Sequence, residues 1–311
     1  MSTTTELSST IGPYRLLRAL GQGGMGTVWL ARHETRNTLV AIKIIQGERA
    51  LSERSVARFE LEARAMAALT SPHVARVWDY GRSDAGGYYY ALEYIRGLDL
   101  WTMVKSYGPL PGSRAVHFAE QVCDALGDAH DHGFIHRDLK PANIVVAGTG
   151  GIVDIAKVLD FGLVRAMGCD RDAPTTPEQI TGTPAYLAPE IISSECRGEC
   201  HVDGRADLYS LGCVLYWLLT GELVFDAPTL VAQIAAHAGE PPRPVSKVAK
   251  QPIPPDLDAL ILRCLSKQPD DRPSSARALA ELLHATGLAE QWTQDDAKAW
   301  WAAHPAGGQE T

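Results

Sequence analysis

The stretch His136-Arg137-Asp138-Leu139-Lys140-Pro141-Ala142-Asn143, with Asp160-Phe161-Gly162 behind it, constrains this chain more than any other. Apolar runs flank it. They read as helix before (Val116–Leu126) and as strand after (Ile144–Val146 and Val158–Leu159), so a base, an amide, a lysine and a second acid lie on a loop held by rigid elements. Asp138 and Asn143 are close enough in sequence for one tight loop to aim both into one site. There Asp138 has the chemistry of a base, and Asn143 that of an oxygen ligand for a hard cation. Asp160, delivered by the next strand, supplies the carboxylate that Mg²⁺ requires.

This order of residues resembles the catalytic loop and metal motif of protein kinases, whose parts have established roles. The resemblance extends over about residues 14–285 and is best with bacterial serine/threonine kinases of the eukaryotic-like (Hanks) type. It implies a bilobal α+β fold, with a small antiparallel sheet and one main helix in the N-lobe and a larger, mainly helical C-lobe. It also implies ATP as phosphoryl donor, with Mg²⁺ or Mn²⁺, and protein Ser/Thr hydroxyls as acceptors. A transient homodimer would serve trans-autophosphorylation. Asp138 would then be the base, Lys140 would offset charge on the moving phosphoryl group, and Asn143 and Asp160 would hold the metal. Lysine at 140, followed by Pro-Ala-Asn, favours Ser/Thr over tyrosine as the acceptor.

Composition agrees with a two-lobed enzyme. The chain has 311 residues, 45% hydrophobic and 21% charged, enough for two cores in a soluble protein. A net charge of −8 and a pI near 5.7 argue against nucleic-acid or anionic-membrane surfaces. The longest apolar run, Leu211–Leu219, falls well short of the roughly twenty residues that span a bilayer and reads as a buried helix. The opening MSTTTELSST has neither a basic region nor an apolar core, so no secretory leader is expected and residues 1–12 read as a polar tail. Cysteines at 123, 169, 196, 200, 213 and 264 suggest reduced, mostly buried thiols in a cytoplasmic protein. Cys196, Cys200 and His201 raise zinc, but a structural site needs four ligands and no second pair is spaced for it.

Residues of about 13–96 read as the smaller lobe. Tyr14–Leu20, Thr27–Ala31 and Leu39–Ile45 have strand character, and the turn between the first two is Gly21-Gln22-Gly23-Gly24-Met25-Gly26. A glycine pattern of this kind also marks dinucleotide-binding folds, which need a helix straight after it. Here Thr27-Val28-Trp29-Leu30 is β-branched and aromatic, so the glycines belong to a β-hairpin whose backbone N–H groups can approach phosphates. The strand period puts Ala41, Lys43 and Ile45 on one face and Val40, Ile42 and Ile44 on the other. A lysine in so apolar a strand needs an acid, and its stretch resembles the kinase motif in which this lysine binds the α/β-phosphates. The helix Leu51–Leu69, capped by Ser52, carries the apolar stripe Val56, Phe59, Ala63 and Met66, with Glu62 at its border. The pattern Arg58 to Ala63 is similar to bacterial kinases and also selects Glu62 as partner of Lys43, with Glu60 as the other candidate. Trp78–Tyr80 and Tyr88–Ile95 complete the sheet. Leu92-Glu93-Tyr94-Ile95-Arg96-Gly97 resembles the kinase hinge, which makes Leu92 the gatekeeper and brings the backbones of Glu93 and Ile95 to the adenine edge. By the same resemblance Val28, Ala41 and Val145 cover the adenine faces.

From about 97 to 285 the chain is helix-rich: Leu98–Tyr107, Ser113–Asp131, Val202–Gly221, Leu230–Ala238, Leu257–Leu265 and Ser274–Thr286. The segment 166–183 reads as a mobile loop ending in Gly182-Thr183-Pro184-Ala185-Tyr186-Leu187-Ala188-Pro189-Glu190, similar to the close of the kinase activation segment. The resemblance pairs Glu190 with Arg272 and has Asp207 hold the backbone of the catalytic loop. In the tail 286–311, Thr293 and Asp296 suggest a capped short helix bearing Trp300 and Trp301, packed on the larger lobe or kept for a partner. The rival in function is a pseudokinase, a nucleotide-binding scaffold. It would have lost Lys43, Asp138, Asn143 or Asp160, and all four are present.

Thr175, Thr176 and Thr181 are candidate phosphorylation sites in the loop. Arg137 and Arg165 flank the two motifs, and a phosphothreonine adds about −1.5 to −2 charge with three acceptor oxygens that can bridge two guanidinium groups. Autophosphorylation is expected at Thr175 or Thr176, with activity reduced in the double alanine variant and in Arg137→Ala. Phosphopeptide mapping beside an Asp138→Asn control checks it, and an unmodified loop in fully active protein would exclude the mechanism.

Overall fold

The structure, a computed structural model, describes residues 10–23, 26–45, 63, 66–83, 87–159, 183–192 and 202–304. These fall into two compact units, one built from the chain up to Leu69 together with Ala75–Ile95, the other from Thr70–Val74 and from Arg96 onward. The first is an antiparallel sheet of β1 (Thr10–Ile11), β2 (Tyr14–Gly23), β3 (Gly26–His33), β4 (Leu39–Ile45), β5 (Val77–Arg82) and β6 (Tyr88–Glu93), in the order β1-β2-β3-β4-β6-β5. The expected alternation on β4 is present. Val40, Ile42 and Ile44 are buried in one cluster with Ile11, Tyr14, Ala31, Tyr89 and Ala91, while Lys43 sits on the opposite face. Ala63 and Met66, the described residues of the expected helix Leu51–Leu69 that belong to its apolar stripe, are helical and buried.

The glycine-rich turn is a hairpin tip, with Gly23 paired to Gly26 across β2 and β3. Its glycines serve different ends. At Gly26 (φ 133) a Cβ would lie 1.9 Å from the Ile44 carbonyl oxygen, so the close approach of β3 to β4 there requires the missing side chain. At Gly21 a Cβ would meet nothing within 4 Å.

The second unit holds a small sheet of β7 (Gly97–Asp99), β8 (Ile144–Thr149) and β9 (Ile152–Val158), and, among the described residues, the α-helices that follow with several short 3-10 turns. The α-helices are α1 (Leu100–Tyr107), α2 (Gly112–Asp131), α3 (Arg205–Thr220), α4 (Leu230–Gly239), α5 (Pro255–Cys264), α6 (Ala276–His284) and α7 (Gln294–Ala303). Every residue of α3 from Ala206 to Thr220 is buried, so the apolar run 211–219 is the central post of this unit. No helix among the described residues is long and apolar enough to cross a membrane.

Several boundaries differ from expectation. Helix α1 starts at Leu100 rather than Leu98, because residues 97–99 pair with β8 and the Asp99 carboxylate caps the helix at Thr102 N (2.9 Å). Strand β6 stops at Glu93 instead of Ile95, and Leu159 lies just past β9. Helix α3 begins at Arg205, not Val202, where the Asp203 side chain accepts from Arg205 N. At the tail Thr293 and Asp296 form the anticipated reciprocal cap of α7. Cys123, Cys213 and Cys264 are free and buried, and burial pushes all three thiols up, which keeps them protonated and inert. Cys169, Cys196, Cys200 and His201 lie outside the described residues.

Gly26→Ala should cost on the order of 2 kcal/mol, since both the left-handed backbone and the Ile44 carbonyl oppose a methyl group. Gly21→Ala should stay within about 0.5 kcal/mol of the parent. Urea unfolding of both variants separates them, and equal losses would refute the packing argument.

Candidate active site

Helix α2 ends at Asp131 and the chain turns through residues 132–135 into the polar loop. Arg137 has φ 63, a left-handed backbone uncommon for a residue with a side chain. What holds it there is Asp207 on α3, fully buried, which accepts from His136 N (2.8 Å) and Arg137 N (2.9 Å). His130 Nε2, 2.8 Å away, completes the set, and a Cβ on Gly204 would strike that ring. Burial pushes the Asp207 carboxyl up, but the hydrogen bond and charge of His130 and the N–H of Arg137 outweigh it and hold the group below the usual carboxylate range. The expected role of Asp207 is thus what the structure shows.

Beyond Arg137 the side chains converge. Lys140 Nζ donates to Asp138 Oδ2 and to Thr183 Oγ1, each at 2.8 Å. Asn143 Nδ2 donates to the Asp138 carbonyl (2.8 Å) and lies 3.3 Å from its Oδ2, while Thr183 N donates to Oδ1 (3.1 Å). Asp138 is therefore held as an acceptor by donors from three directions, half-buried and still reachable. Because the Asn143 amide nitrogen is spent on Asp138, its Oδ1 points elsewhere as a neutral oxygen donor, which suits a hard cation.

The loop is also tied to the strand that leads to Asp160. Leu159 N donates to the Asn143 carbonyl, and His136 Nε2 sets a hydrogen bond to the Leu159 carbonyl, both at 2.8 Å. With its Nδ1 accepting from Asp138 N (3.3 Å), His136 carries its proton on Nε2. Sequence reading missed the roles of His136 and Leu159. The first sat unremarked inside the motif, and a backbone role like the second leaves no side-chain signal.

In the first unit, cross-strand register places Gly21, Val28, Lys43 and Tyr90 in one row and Leu30, Ala41 and Leu92 in the next, all on the face away from the apolar cluster. Lys43 is buried and Val28 and Ala41 are half-buried. Gln22 and Gly23 continue β2 to the hairpin tip. Glu93 N donates to Arg76 O (2.8 Å), and Ile95 follows it half-buried outside the strand. Val145 lies on β8 in the second unit. Gly24, Met25, Glu62, Asp160, Thr175, Thr176 and Thr181 fall outside the described residues, as do Glu60 and Arg165.

The close of the loop after Thr183 is anchored by Arg272, whose Nη1 and Nη2 grip the Glu190 carboxylate at 2.6 and 2.8 Å. The same guanidinium donates to the carbonyls of Ser266, Lys267 and Arg205, which leaves a buried cation fully hydrogen-bonded. The anticipated Glu190–Arg272 pair is present.

Comparison with known proteins gives a consistent picture. The family model described as protein kinase domain matches residues 14–284. The chain is 40% identical over 275 residues to serine/threonine-protein kinase pkn3 of Myxococcus xanthus, covering 88% of this chain and 49% of that protein. It is 38% identical over 287 residues to serine/threonine-protein kinase PknB of Mycolicibacterium smegmatis, covering 91% and 44% respectively. The chain thus spans about half the length of the curated relatives it matches. Among solved structures, the PknI kinase domain of Mycobacterium tuberculosis matches with a TM-score of 0.67 at 28% identity, over 90% of this chain and 99% of that one. Rad53 in complex with AMP-PNP matches at 0.66 and 26% identity, over 86% and 64%.

Asp207 makes the loop pH-sensitive in a defined direction. Its folded pKa is depressed, so its contribution to stability is present above about pH 4, its unfolded value, and is lost as pH falls through the folded value. Asp207→Asn should cost on the order of 3 kcal/mol at pH 7, and the gap to the parent should narrow below about pH 4. Denaturant midpoints at pH 7 and pH 3 test this, and an unchanged gap would mean that the charge of Asp207 is not what holds the loop.

Proposed function

The chain belongs to the protein kinase domain family and has its bilobal α+β fold, and from that premise we propose that it transfers the γ-phosphoryl group of ATP to serine or threonine hydroxyls of proteins. The observation that carries this reading is the convergence of Asp138, Lys140, Asn143 and Thr183 on one point. Asp138 accepts the proton of the acceptor hydroxyl as its oxygen bonds to phosphorus and the bond to the ADP oxygen breaks. Lys140, already poised between Asp138 and Thr183, offsets charge on the moving group. Thr183 contributes its N–H and hydroxyl to the place where an acceptor hydroxyl must sit, which supports Ser/Thr as acceptor.

Asn143 and Asp160 are assigned to the divalent cation, Mg²⁺ or Mn²⁺, which when bound neutralises phosphate charge. Lys43 is assigned to the α/β-phosphates with Glu62 as its partner, and the backbone of Gly21 to Gly26 to the phosphate chain. The open space at Gly21 supports that assignment. Val28, Ala41 and Val145 are assigned to the adenine faces, Leu92 to the gatekeeper position, and the Glu93 and Ile95 backbones to the adenine edge. The domain is taken as about 13–285, acting in the cytoplasm on protein substrates and on a second copy of itself.

Asp138→Asn should lower transfer to a generic acceptor protein by at least about a hundredfold. Stabilisation by ATP and Mg²⁺ should persist, on the order of 2.7 kcal/mol at about a hundred times Kd. Radiolabel transfer and thermal melts measure the two. Activity within about tenfold of the parent would remove Asp138 from the mechanism, and no stabilisation by ATP would remove the nucleotide.

A further inference from the structure

Strand β9 is not regular. Ala147 pairs with Ile155 and Thr149 with Ile152, so Val153 and Asp154 together oppose Gly148 in a bulge. Asp154 sits there with φ 59 and is 1% exposed. A bulge removes backbone polar groups from the ladder, and here they are met from two sides. On α2, the Gln121 amide accepts from Ala156 N (2.8 Å) and donates to Asp154 O (3.0 Å), and Arg114 grips the Asp154 carboxylate through Nε (2.8 Å) and Nη2 (2.9 Å). His117 Nε2 also lies 3.2 Å from that carbonyl. From the tail, Gln294 accepts from Val153 N and donates to Val153 O, both at 3.0 Å. Trp292 Nε1 reaches Asp154 Oδ2 (2.8 Å) and Trp301 Nε1 reaches Oδ1 (2.6 Å), while the Trp300 ring covers the Arg114 guanidinium at 3.9 Å. These tail residues lie beyond residue 284, where the family match ends.

We propose that residues 286–304 form a positioning clamp for the catalytic loop, with Trp292, Gln294 and Trp301 as positioning residues that act through β9. The strand runs from the bulge to Val158, and the next residue, Leu159, engages Asn143 and His136 through its N–H and carbonyl. A strand that slips by one residue turns every side chain to the other face, so the register set at Val153 and Asp154 decides whether Leu159 meets both partners. The bulge puts Asp154 in a strained backbone, and such strain persists only where the surroundings over-determine it. The Asp154 carboxylate, accepting from Arg114 twice and from two indoles, is that over-determination. The link to catalysis rests on the phosphoryl-transfer reading above. The link to Leu159 does not.

The test uses the full chain with Trp301→Phe, which keeps an aromatic ring and loses the indole N–H, and with Gln294→Ala. Leu260→Ala on α5 serves as a control destabilised by a remote cavity. Exchange of the Leu159 amide should speed up by about tenfold or more in both tail variants, while the Leu110 amide, bonded to Leu218 O, keeps its protection. The kcat should fall by about tenfold with the KM for ATP within about twofold. The control should leave Leu159 exchange and kcat near parental values. Unchanged Leu159 exchange in the tail variants, or an equal rise in the control, overturns the clamp, as does unchanged kcat in an active protein. If the parent transfers no phosphoryl group, the functional reading fails, and Leu159 exchange still decides the clamp by the same criterion.

Discussion

The Asp207 carboxylate accepts hydrogen bonds from two consecutive backbone N–H groups, those of His136 and Arg137, while buried on an apolar helix. Removing a charge from water is costly unless its acceptors are filled, and here three donors fill them. The returned stabilisation holds Arg137 in a left-handed backbone that it would not otherwise adopt. Only with that turn in place do Asp138, Lys140 and Asn143 face one another, so the geometry of the site depends on a residue that takes no part in its chemistry.

Helix α3 can serve as this post because it is apolar on nearly every side. Its first turns anchor two things together: Asp207 holds the loop, and the Arg205 carbonyl shares Arg272 with Glu190. The segment that follows Thr183 and the loop that carries Asp138 are thereby referred to the same rigid element. The Lys140–Thr183 and Asp138–Thr183 contacts close that circuit from the other side.

Two strands each bury one ionisable residue among apolar neighbours, Lys43 on β4 and Asp154 on β9. The sequence signal is the same in both. Lys43 is read from the sequence both by its apolar strand and by its resemblance to a family motif, whereas the partners of Asp154 lie on a helix before it and a tail far after it. A buried polar group inside an apolar strand is thus informative by itself, since burial without partners is too costly to persist.

Much of this protein was legible without coordinates. The strand period placed Lys43 opposite Val40, Ile42 and Ile44, the β-branched run after the glycines identified a hairpin, the uniform apolarity of residues 211–219 marked a buried helix, and Thr293 with Asp296 announced a capped one. Each of these follows from forces that act over a few residues. The helix start at Leu98 was misjudged because residues 97–99 are claimed by pairing with β8, a partner far along the chain. The same holds for the parts that set the site: Asp207 reaches Arg137 across 70 positions, Thr183 reaches Asp138 across 45, and Trp301 reaches Asp154 across 147. Local sequence determined which chemical groups the chain offers and on what kind of element. Only the tertiary structure decided which of them meet, because hydrogen bonds between distant residues depend on the packed fold and leave no period to read.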